Sequence, residues 1–167
     1  MASTFRQAAA ALGDAEQQIL FGSIPRLIGA VAMADGFTSD EEITRGIDGL
    51  IAVVGELGDE FRYSPHAEAA FDALADSLET RDAEFPAYLA RLRDVVLQLP
   101  PELARRYRAF VARLCIDVAR ASREYVGWGK RIDDAEARLL ADIVAALELE
   151  IHDLAVRERI GLGLEPP

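Results

Sequence analysis

The chain is 167 residues long, with 18 Lys and Arg against 29 Asp and Glu, a formal net charge of −11 and 51% apolar residues. That length is one domain's worth and enough to bury a core; the strong acidity argues against a nucleic-acid partner, and no apolar run is long enough to span a membrane. The one cysteine, Cys115, cannot form an internal disulfide and falls in an apolar helical stretch. It reads as a buried, reduced thiol in a cytoplasmic protein.

In chain order, residues 3–12 predict a short helix capped by Ser3 or Thr4 and stopped near Gly13, and a second helix starts at Asp14. The N-terminal segment has neither a basic leader nor a sustained apolar run, so no signal peptide is expected. Gly22 and Pro25 interrupt the second helix, and Pro25 suits the first turn of a third helix over 24–34. Arg26 is the one charged residue before Asp35 in that stretch, which predicts a central helix, apolar nearly all round.

The next segment, Ala34-Asp35-Gly36 followed by Ser39-Asp40-Glu41-Glu42, is the most informative in the chain. Gly36 suits a left-handed helix stop. Ser39 and Glu42 have capping-box spacing, in which each side chain covers the other's amide. Asp40 and Glu41 place negative charge at the positive end of the next helix. A calcium-binding helix-loop-helix loop also has Gly at position six and a bidentate Glu at position twelve. Gly36 and Glu42 keep that spacing and Asp35 falls at position five, but positions one and three are Val31 and Met33, which carry no oxygen donor. A calcium or magnesium ion held by Asp35, Ser39, Asp40 and Glu42 therefore needs further ligands from elsewhere.

A helix is expected over 40–57, where Gly46, Gly49 and Gly55 suggest close helix–helix approach, with a stop at Gly58. Further helices are expected over 66–79, 83–98 and 101–123, the last two separated by Pro100-Pro101. The 101–123 helix has an apolar face of Leu103, Tyr107, Phe110, Val111, Leu114 and Val118. Its opposite face, with Arg105, Arg106, Arg113, Arg120 and Arg123, reads as solvated. Charge follows this layout: residues 91–131 carry a net +6, between an N-terminal part of net −11 and a C-terminal part of net −6.

The acidic-turn signature then returns. Ile132-Asp133-Asp134-Ala135-Glu136 repeats Thr38-Ser39-Asp40-Glu41-Glu42, with Asp133 and Glu136 again in capping-box spacing, ahead of helices over 134–147 and 151–160. Upstream, Cys115 to Ser122 parallels Ile28 to Asp35. The offset is 87 residues before the turn and 94 after it, so the second turn is seven residues longer. The expected fold is all-α: a single domain over 1–167 of about seven to eight helices, built from two quasi-symmetric halves of helix, acidic turn and helix.

Three segments, Val31–Glu42, Cys115–Ser122 and Ile132–Leu149, resemble the TerB-like proteins of bacterial tellurite resistance, in matching order from about residue 24 to 149. The family has Asp-Gly where this chain has Ser122-Arg123, and residues 124–131, with Trp128, form an added stretch. The resemblance implies a non-enzymatic stress-response module. It also implies an acidic surface that binds a divalent cation, for which Asp35, Ser39, Asp40, Glu42, Asp133, Asp134 and Glu136 are the candidate ligands. Its partners would be other tellurite-resistance proteins, one of them embedded in the membrane. The residues alone leave a second reading open, a structural interaction domain whose acids only cap helices. No nucleophile, phosphate loop or zinc-type spacing supports an enzyme.

Overall fold

The computed structural model describes residues 4–34, 36, 38–77, 84–121 and 132–163. Among these residues the chain is helical throughout, with ten helices and no strand: α1 (Phe5–Ala9), α2 (Asp14–Phe21), α3 (Ser23–Ala32), α4 (Asp40–Glu56), α5 (Glu60–Tyr63), α6 (Pro65–Ser77), α7 (Phe85–Val96), α8 (Pro101–Ala121), α9 (Asp134–Leu147) and α10 (Leu154–Arg159). The count exceeds the seven to eight expected. The one helix without a counterpart among the expected segments is α5, a four-residue turn of helix too brief to leave a periodic pattern.

Helix α3 is central, as its composition predicts: it packs against α2, α4, α6, α8 and α9. Ile24, Leu27 and Val31 are fully buried along it. Its one buried hydroxyl is satisfied twice, since Ser23 Oγ donates to the Leu20 carbonyl at 2.6 Å and accepts from the Tyr107 hydroxyl at 2.7 Å. Helix α8 turns its apolar face inward as expected, with Leu103, Tyr107, Phe110, Val111, Leu114 and Val118 all buried. The segments paired by the repeat, in α3 and α8, are therefore neighbouring buried helices. Both α3 and α8 touch α4 and α9.

Two of the three α4 glycines work as the sequence suggests. A Cβ on Gly46 would sit 2.6 Å from Ile28 Cγ2, and one on Gly49 would sit 2.2 Å from Leu114 Cδ1, so the missing side chains let α3 and α8 approach. Gly55 differs, because a Cβ there meets nothing within 4 Å.

The arginine face of α8 is less uniform than its pattern predicts. Arg105, Arg106 and Arg113 are exposed, and Arg113 pairs with Glu56 of α4. Arg120 is instead half-buried against Asp153, the N-cap of α10. The Arg120 guanidinium, with the Val156 amide, holds the Asp153 carboxyl below the usual aspartate range. Arg123 lies outside the described residues. Arg113→Glu should change stability by less than about 1 kcal/mol, as for an exposed pair. Arg120→Glu should cost about 1–2 kcal/mol, because it sets two carboxylates together at a helix cap. Urea unfolding of the two variants checks the difference. The Arg120–Asp153 contribution should be present above the ordinary aspartate pKa near 4 and fade as pH falls below it.

Candidate functional site: two acidic turns

The first turn is assembled from the end of α3. The Met33 N–H donates to the Gly29 carbonyl at 3.1 Å, and the Gly36 N–H donates to the Met33 carbonyl at 2.9 Å. Gly36 has φ +81°, the left-handed stop anticipated from its type. Ser39 caps α4: its Oγ accepts from the Glu42 N–H at 3.2 Å, and Glu42 Oε2 accepts from the Ser39 N–H at 2.6 Å. Asp40 and Glu41 are exposed in the first turn of α4, beside its positive end. Asp35 lies outside the described residues, as do Ser122, Trp128 and the 122–131 stretch.

The second turn has the same construction. Asp133 Oδ1 accepts from the N–H groups of Ala135 at 2.7 Å and Glu136 at 2.8 Å, and Glu136 Oε2 accepts from the Asp133 N–H at 2.9 Å. Asp134 points outward and pairs with Arg159, whose Nε donates to the Ile132 carbonyl at 2.9 Å.

Burial is what the spacing could not reveal. Glu42 and Glu136 are each only 1% exposed. A carboxylate is costly to bury unless hydrogen bonds and favourable charge meet it; here the cap amide and the helix N-terminus supply both. The pattern identifies the box, but only packing shows that both glutamates sit inside the protein.

The arrangement holds helix ends first. At each turn one glutamate oxygen takes the cap amide, and at the second turn Asp133 Oδ1 takes two more. Among the described residues, no three His, Cys, Asp or Glu side chains gather as a metal-type cluster.

Other reactive groups are dispersed. His66 pairs with Asp14 at 3.5 Å, and His152 lies 3.8 Å from Glu150. Burial pushes the Cys115 thiol up to about 12, so it stays protonated at neutral pH. The sequence also gave no hint of a cleft of about 1350 Å³ bounded by α2, α3, α6, α7 and α9, with Arg26, His66, Tyr88, Arg91 and Arg138 among its walls. Its lining comes from five helices, so no local pattern marks it. No described helix is long and apolar enough to cross a membrane. The chain matches no family model, and no curated protein or solved structure matches it.

Proposed function

We propose that this chain is a non-enzymatic helical module that acts by assembling with other proteins, and that its acidic turns serve as caps fixing two helix starts. The observation that carries this reading is the pair of buried capping glutamates, Glu42 and Glu136, in the same construction at the starts of α4 and α9. The resemblance to TerB-like proteins supports a cytoplasmic place in tellurite resistance or a related stress response, with a membrane-embedded protein among the partners.

A second reading rests on the Gly36-to-Glu42 spacing and on what the resemblance implies. In it, calcium or magnesium sits at the first turn, held by Asp35, Ser39, Asp40 and Glu42, with Asp133, Asp134 or Glu136 completing the set. Hard oxygen donors suit those ions and do not favour copper or zinc.

Loss of the gene should sensitise the cell that carries it to tellurite, and wild-type protein should restore growth. On the capping reading Glu42→Gln also restores growth, because it keeps the acceptor oxygen while removing the charge. Failure of a folded Glu42→Gln to restore growth would favour the cation reading. Unchanged growth on loss of the gene would set tellurite aside as the stress.

A further inference from the structure

Helix α4 buries one side and leaves another apolar side open. Glu42, Gly46, Gly49 and Val53 face the protein, while Ile43, Ile47 and Ile51 are 50%, 49% and 55% exposed. Spacing of four places these isoleucines in a single stripe. A contiguous apolar row rimmed by polar residues is the kind of surface at which proteins meet.

The two ends of the stripe carry opposite charge. Asp40 lies two turns before Ile47 on the same face and is exposed. Near the other end, Arg62 of α5 donates to the Leu50 carbonyl at 3.4 Å, and its guanidinium lies 5.2 Å from the ring centre of Tyr63, itself 59% exposed. The guanidinium thus sits beside the part of α4 that follows Ile47. A Cβ on Gly55 would meet nothing within 4 Å, so that end of the helix is open.

A stripe that is apolar in the middle, acidic at one end and basic at the other is complementary to itself when reversed. We propose that α4 is the contact helix of a twofold homodimer, paired antiparallel with α4 of a second copy and centred on Ile47. Ile43 then meets Ile51 of the other copy, Ile47 meets its own equivalent, and Asp40 reaches the Arg62 end. This is an isologous interface, closed by its symmetry. A parallel pairing would set Asp40 against Asp40, and an anionic lipid surface would meet Asp40 and Asp48. The chain's net charge of −11 opposes self-association, but only charges within about 8 Å act strongly at physiological salt. A contact built on one helix is small, so the dimer should be of micromolar strength or weaker. The inference stands on α4 and α5 and does not depend on the stress-response reading.

Sedimentation equilibrium of the full chain over a concentration series tests it. Wild type should pass from monomer to dimer, and no further. Ile47→Glu places two carboxylates on the twofold axis and should weaken the dimer at least about tenfold. Ile47→Ser, milder at an exposed site, should weaken it less, and circular dichroism of both should match wild type. Asp40→Arg and Arg62→Asp should each weaken the dimer, and the double exchange should recover it. A wild-type chain that stays monomeric would overturn the proposal, as would a dimer indifferent to Ile47→Glu. Failure of the double exchange to recover association would overturn the antiparallel pairing.

Discussion

Phe61→Ala should lower the unfolding free energy by about 3–5 kcal/mol, the usual cost of emptying a large aromatic site in a core. Phe61 is fully buried. Its ring meets Phe5 edge-on at 5.1 Å and Phe21 edge-on at 5.2 Å, with Tyr107 at 5.9 Å. One side chain from the four-residue α5 therefore joins α1, α2 and α8. Edge-to-face pairs add to the area they bury, and none of the neighbours can refill the space without leaving its own partners. For a domain of this size the midpoint should fall by roughly 2–4 °C per kcal/mol. Chemical and thermal unfolding check this, and a loss below about 1 kcal/mol would mean that α1 and α5 are not part of the cooperative core.

The next largest effect should come from truncating either capping glutamate. Glu42→Ala removes the acceptor for the Ser39 N–H, and Glu136→Ala does the same to Asp133. Each removes the cap amide's acceptor, in a part-buried setting at Ser39 and a buried one at Asp133, and leaves a gap where a long side chain was. About 2–3 kcal/mol is expected for each, combining a lost buried acceptor with a lost cap. Glu→Gln at either position keeps an acceptor oxygen and nearly the same volume, so it should cost less than about 1 kcal/mol. Equal losses for Ala and Gln, measured by urea unfolding, would show that the negative charge itself, and not the cap, is what the site needs.

What the sequence made legible was local. Gly36 as a left-handed stop, the Ser39–Glu42 and Asp133–Glu136 boxes, and the buried face of α8 each depend on residues within a few turns of one another. Propensity and periodicity act over that range. The features that escaped depend on distant partners. Phe61 lies in a helix too short to show a period, and its role comes from rings up to 56 residues away in sequence. Arg120 looks like part of a solvated stripe until α10 brings Asp153 beside it. Arg157 looks like an ordinary surface residue of a short helix, yet it is buried and donates to the carbonyls of Ile151, Leu162 and Gly163. The isoleucines of α4 raise the converse problem. Apolar spacing does not reveal which side of a helix is covered, and here glycines do much of the inward packing while isoleucines face out. At the acidic turns, spacing identified the box and its residue types, whereas the burial that separates a cap from a surface ligand belongs to the tertiary structure.

The most direct test of the two turns as structural caps is calorimetric titration of calcium, and separately magnesium, into the wild-type chain and into Asp35→Asn/Glu42→Gln. The capping account predicts no saturable heat with either ion in either protein, and closely similar unfolding curves for the two. Saturable binding in wild type that disappears in the double variant would contradict it and make the first acidic turn a cation site.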